Sequence, residues 1–109
     1  MARRVARGDV WLHRFAAPGK RRPVVVISRG AALEFMSTAI VAPITSTIRG
    51  LPSEVLLDVE HGMKGPCAVN LDHVQTVHQA DLKRHVSTLP PAMMARICAA
   101  LAVAVGCES

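Results

Sequence analysis

The chain has no tyrosine, one tryptophan and two phenylalanines among its 109 residues. Binding proteins that stack successive bases on exposed rings need a row of aromatics, and Trp11, Phe15 and Phe35 do not supply one. Cysteine is also scarce. Cys67, Cys98 and Cys107 are odd in number and show no CxxC spacing, so neither a disulfide framework nor a zinc site is indicated. The five histidines (His13, His61, His73, His78 and His85) form no HxH or HxxxH pair beside a carboxylate, so no metal constellation is readable. There is no GxSxG elbow and no phosphate-binding glycine loop, which sets aside hydrolase-elbow and nucleotide-cofactor chemistry. No cofactor is expected.

Long hydrophobic runs are missing too. The longest, Ile97 to Gly106, is about half of the roughly 20 residues a helix needs to cross a bilayer. The basic start (Arg3, Arg4, Arg7) is followed by Gly8 and Asp9 rather than by an apolar signal core. A cytoplasmic chain with no membrane partner is expected. Acidic residues are nearly absent from the first quarter. Residues 1–29 hold eight Lys or Arg against Asp9 alone, a local charge of +7, whereas the whole chain carries +5. Such asymmetry favours a polyanionic partner, either nucleic acid or an acidic protein segment; the plainer reading is a solvated basic arm.

What is present suits one small core. Half the residues are apolar, no repeat or low-complexity stretch interrupts them, and the length predicts a single domain over 1–109 with a flexible arm at 1–7. Alternation around Trp11 predicts a strand over 10–15, and the β-branched run Pro23 to Ser28 predicts a strand buried on both faces. Further strands are expected over 38–44, 53–59 and 67–77, with a turn at 61–66 where Gly62, Gly65 and Pro66 cluster. A short helix is expected over 80–85. Pro90 and Pro91 open the one long helix and Gly106 closes it. Four or five strands and a terminal helix predict a barrel-like sheet with the helix packed on it. That helix is apolar nearly all round, with Cys98 expected in the core, so a second subunit is expected to cover part of it.

Two segments place polar groups at strand ends, where a rigid element can hold them. Lys20-Arg21-Arg22-Pro23 precedes the buried strand, and Ala42-Pro43-Ile44-Thr45-Ser46-Thr47 ends the next one. A guanidinium fork and a hydroxyl suit a phosphate. Taken alone, Arg22 also reads as a surface base beside a turn, and Thr45 as an ordinary strand-end hydroxyl.

Over residues 7–106 the chain resembles the MazF/PemK toxins. The resemblance is carried by Arg7-Gly8-Asp9-Val10-Trp11, by Arg22-Pro23-Val24-Val25-Val26-Ile27-Ser28, and by Val41-Ala42-Pro43-Ile44-Thr45-Ser46. Leu51-Pro52-Ser53-Glu54-Val55 and Asn70-Leu71-Asp72-His73-Val74-Gln75-Thr76-Val77 follow in the family's order, with the helix ending at Gly106. The resemblance implies a mainly β fold, a small SH3-like barrel of the CcdB/MazF type with a C-terminal helix, acting as a homodimer. It implies a type II toxin that cuts single-stranded RNA at short sequences without a metal, leaving 2′,3′-cyclic phosphate and 5′-hydroxyl ends. Its expected partner is an antitoxin with an acidic C-terminal tail. The family's catalytic arginine maps to Arg22 and its catalytic hydroxyl to Thr45. Lys20, Arg21, Ser46 and Arg49 are expected to contact RNA phosphates, and Asn70 and Asp72 to read base edges or fix loops. The first loop lacks the Gly-x-Glu element of many relatives, so the proton-accepting group is open between His13 and Asp72. A same-fold toxin that inhibits a protein such as DNA gyrase, and a non-catalytic RNA-binding barrel, are the competing readings.

Overall fold

A computed structural model of the chain describes residues 4–14 and 21–107. Its elements run β1 (Asp9–Arg14), β2 (Arg21–Val26), α1 (Gly30–Phe35), β3 (Thr38–Thr45), β4 (Glu54–Leu57), β5 (Cys67–Asn70), β6 (Gln75–His78), β7 (Arg84–Thr88) and α2 (Pro91–Ala104). The strands form one curled antiparallel sheet in the order β4-β5-β3-β2-β1-β7, with β6 also paired to β3.

The central strands are buried on both faces, as the run of branched residues predicts. Val24, Val25 and Val26 are each fully buried, and alternation sends them to opposite sides. Val10, Val25, Ala42 and Ile44 face a cluster completed by Met93, Met94, Ile97 and Ala100 of α2. Trp11, Val24, Val26 and Val41 face a second cluster closed by Val5 and Leu82, with Leu33 of α1 against it. Each fully buried side chain of this size stabilises the fold by about 1.5–3 kcal/mol relative to exposure.

α2 begins with Pro91 in its first turn, after Pro90, where a missing N–H costs nothing. It ends with the Cys107 N–H donating to Ala102 O at 2.8 Å and the Gly106 N–H to Val103 O at 3.1 Å, a pairing that satisfies the last carbonyls. Only one stripe of α2 is buried. Cys98, expected in the core, is exposed and accepts from Arg7 Nη2 at 3.0 Å, because it lies off the Met93–Ile97–Ala100 face.

Three further expectations are corrected. Residues 4–7 are not a loose arm: Val5 is buried, and the Arg7 guanidinium donates to Ile27 O. The strand expected over 67–77 is broken by a 3-10 turn, Leu71–His73, which the Asn70 side chain caps by accepting from the Asp72 N–H at 3.0 Å. The helix expected over 80–85 is a 3-10 turn, Gln79–Asp81, followed by β7. β7 pairs with β1, bringing the strand count among the described residues to seven. Among the described residues no helix is long and apolar enough to cross a membrane.

Candidate active site

The β2–β3 ladder runs through Val26↔Val41, Val25↔Ala42 and Val24↔Pro43 and goes no further. Pro23 and Pro43 flank its end, and each lacks a ladder donor. Beyond them β3 pairs on its other edge with β5, through Ile44↔Val69 and Thr45↔Ala68. The sheet therefore parts where β2 begins and β3 ends. Continuing the register two residues sets Arg22 opposite Thr45. Both line one open groove of about 1040 Å³. Arg21 and Ser46 line it too.

The second wall comes from residues 62–67 and from β7. Gly62 makes the close approach of these two segments feasible. It has φ +87°, a left-handed conformation that side chains rarely adopt. A Cβ there would meet Ser87 Cβ at 2.6 Å, closer than real Cβ contacts come. Ser87 Oγ also donates to His61 O at 2.9 Å. This contact sets Lys64, Arg84 and His85 on the groove.

Among the described residues, charge in the groove is of one sign: Arg21, Arg22, Lys64 and Arg84 line it, and no Asp or Glu does. Four cations on one concave surface raise the local concentration of a polyanion and hold it by short-range attraction that water screens less in a cleft. Leu12, Pro23, Ile44 and Met63 add apolar surface, which suits the faces of bases. A smaller cleft of about 410 Å³ shares Leu12, Arg21 and Arg84 with the groove and adds Lys83 and Asp81.

Thr45 is half-buried, and its Oγ1 accepts the Thr47 N–H at 3.1 Å. With that acceptance made, its own O–H is free to donate to a bound oxygen. The one thiol on the groove is not an activated nucleophile. Burial, and then the charge of Asp58, push the Cys67 thiol above its ordinary value, and its Sγ–H points to Leu57 O at 3.7 Å. A protonated buried thiol is inert.

Some expected site residues stand elsewhere. Arg49 lies on the exposed segment 47–52, where Glu54 Oε1 accepts from the Arg49 and Leu51 N–H groups at 3.1 and 3.2 Å. The Asp72 carboxylate accepts from Ser53 Oγ, and Asn70 caps the following turn, so both fix loops outside the groove lining. His13 pairs with Arg22 in the β1–β2 register but is buried and does not line the groove. Lys20 falls outside the described residues. Among the described residues no three His, Cys, Asp or Glu side chains cluster as a metal site.

Lys64, Arg84 and His85 line the groove without being among the residues that the sequence points to. Lys64 stands between Gly62 and Gly65, where the sequence indicates only a turn. The helix expected over 80–85 hides Arg84 and His85; Arg84-His85-Val86-Ser87-Thr88 has one apolar residue and so carries little strand pattern.

The Arg7-Gly8-Asp9-Val10-Trp11 motif is structural. Asp9 is buried, and its carboxylate accepts from Ala6 N–H at 2.9 Å, Trp11 Nε1 at 3.2 Å and Thr88 Oγ1 at 2.9 Å. His85 Nε2 lies 3.4 Å from Asp9 Oδ1. Asp9 thereby ties the start of β1 to β7, the groove's second wall.

Residues 6–105 match the model of the PemK-like, MazF-like toxins of type II toxin–antitoxin systems. The chain is 48% identical over 104 residues to a probable endoribonuclease MazF5 of Mycobacterium tuberculosis, covering 94% of both chains. It is 31% identical to the endoribonuclease EndoA of Bacillus subtilis over 107 residues, covering 91% of this chain and 92% of that one. Among solved structures it superposes on the Mycobacterium tuberculosis toxin MazF-mt6 with TM-score 0.83 at 29% identity, covering 93% of this chain and 99% of the other. An endoribonuclease in complex with its cognate antitoxin, from a mycobacterial species, matches with TM-score 0.87 at 25% identity over 96% and 98% of the two chains. The half-barrel with its C-terminal helix, the Arg22–Thr45 groove and these likenesses agree: the chain belongs to the PemK/MazF family of toxin–antitoxin endoribonucleases.

Proposed function

We propose that this chain is the toxin of a type II pair, acting in the cytoplasm, and that it cuts single-stranded RNA at specific sequences through Arg22 and Thr45 without a metal. The observation that carries this is that the Arg22 guanidinium and a donor hydroxyl on Thr45 line a single groove, which among the described residues has four cations and no carboxylate.

The chemistry follows from what the groove offers. The substrate supplies its own nucleophile, the ribose 2′-hydroxyl, so neither an activated side chain nor a bound hydroxide is required. Attack of the 2′-oxygen forms a new bond to phosphorus as the bond to the 5′-oxygen breaks. The products are a 2′,3′-cyclic phosphate and a 5′-hydroxyl. Charge grows on the non-bridging oxygens during attack. Arg22 neutralises it with a planar fork, and the Thr45 O–H donates to one of the same oxygens. DNA lacks the nucleophile and stays intact. Arg21, Lys64 and Arg84 hold flanking phosphates, and the loops around the groove select bases.

The same cationic groove suits an acidic antitoxin tail, which would compete with RNA for it; the solved relative with its cognate antitoxin supports that partner. A homodimer covering the exposed apolar positions of α2 is part of the proposal. Incubation of purified protein with single-stranded RNA in EDTA, followed by end-group analysis, tests the function. Fragments ending in cyclic phosphate are expected. RNA that stays intact while gyrase is inhibited, or RNA that is bound and never cut, contradicts it.

A further inference from the structure

The Arg22–Thr45 pair has no proton acceptor of its own. Neither His13 nor Asp72 lines the groove, whereas His85 does, with a side chain 22% exposed. Its neighbours fix the state of its ring. Thr88 Oγ1 donates its hydroxyl hydrogen to Asp9 Oδ1 at 2.9 Å. The contact of 3.0 Å between Thr88 Oγ1 and His85 Nε2 must then be donated by His85. Asp9 Oδ1, 3.4 Å from the same nitrogen, favours the same hydrogen. So Nε2 carries a proton, and Nδ1 holds the lone pair in the neutral ring. Trp11 packs edge-on against the imidazole, with centroids 5.4 Å apart and planes at 81°, which limits rotation. A buried carboxylate behind a tautomer-fixed histidine at the rim of a reaction groove is the arrangement of a general base.

We infer that His85 is the group that accepts the 2′-hydroxyl proton, with Asp9 and Thr88 as its positioning residues. This rests on the ribonuclease reading above. Nδ1 takes the 2′-proton as the bond from the 2′-oxygen to phosphorus forms. The bond from phosphorus to the 5′-oxygen breaks, and that oxygen takes a proton from water in the open groove. The imidazolium then returns its proton to the hydroxide left behind, so no co-reactant is consumed. Asp9 stabilises the imidazolium while it lasts. The ionisable and charged groups around the ring are Asp9 on β1, Arg21 and Arg22 on β2, Lys64 and Cys67 on the 62–67 segment of the same wall, and Arg84 on its own strand. His61, near Ser87, has its Nδ1 occupied by the Asp58 N–H at 3.0 Å.

The test compares wild type, His85→Gln, His85→Ala and the exposed control His73→Gln on one RNA oligonucleotide across pH 5–9. Wild type and His73→Gln are expected to share one rate-against-pH profile with a rising limb. His85→Gln is expected to fall about 100-fold at pH 7.5 and to lose that limb while keeping its fold by circular dichroism. Added imidazole is expected to restore part of the His85→Ala rate. A limb that persists in His85→Gln, or no rescue by imidazole, overturns the assignment. So does recovery of His85→Gln on a substrate whose 5′-leaving oxygen is replaced by sulfur, because that result makes His85 a proton donor instead. Absence of cleavage by wild type would overturn the ribonuclease reading itself, which is a separate outcome.

Discussion

Arg22 and Thr45 line one groove at the parted ends of β2 and β3, each two positions beyond the last paired residues, Val24 and Pro43. Two backbone features create this relationship: a proline on each strand at the parting, and the switch of β3 onto β5. Neither residue needs a loop to bring it there, since Arg22 lies in β2 and Thr45 ends β3.

Thr45→Val keeps shape and removes the donor hydroxyl. Loss of one charge-stabilising donor lowers the cleavage rate by about 100-fold, with little change in RNA affinity. Thr45→Ser, which keeps the hydroxyl, retains most of the rate. Single-turnover kinetics at saturating protein separates the two variants.

The groove cations that the sequence reading missed leave a signature in salt. Cleavage under subsaturating conditions falls as ionic strength rises, because phosphate contacts release counterions. Lys64→Gln and Arg84→Gln each flatten the log–log slope by about 0.7, the value for one contact to a single strand. A titration of sodium chloride for the three proteins measures this, and an unchanged slope in both variants places the RNA elsewhere.

Those missed cations also show what a sequence can carry. The Val24–Val26 run, the Trp11 strand and the Pro91 start of α2 were readable, since apolar period and proline position are local signals. β7 was not, because an edge strand with one apolar residue, Val86, has almost no hydrophobic pattern; its identity comes from pairing with β1, 70 or more positions away in the chain. With β7 unseen, Arg84 and His85 could not be brought to the groove. Asn70 and Asp72 look equally polar in the sequence, and only the Ser53 and turn contacts show that they serve the loops.

Asp9→Ala strands three donors and the histidine edge that the carboxylate satisfies. Buried donors left unpaired cost about 3 kcal/mol here, which for a chain of this size lowers Tm by about 15 °C. Thermal denaturation measures it. A shift under about 3 °C would mean that water reaches these donors freely.

Cys67 should resist alkylation. Iodoacetamide reacts with thiolate, and burial with Asp58 raises the Cys67 thiol, so its thiolate fraction at pH 8 is below that of an unperturbed cysteine. Cys98 and Cys107 are exposed. Mass spectrometry of a time course is expected to show two rapid additions and a third that appears only on unfolding, and cleavage activity survives the first two.

The most direct test is the rate of RNA cleavage by Arg22→Ala beside wild type, in EDTA, with fold and oligomeric state checked on the same samples. A loss of about 1000-fold or more, with Tm and elution volume unchanged and only slight recovery in Arg22→Lys, is the result expected of a guanidinium that grips the reacting phosphate. Cleavage by Arg22→Ala at the wild-type rate would contradict it.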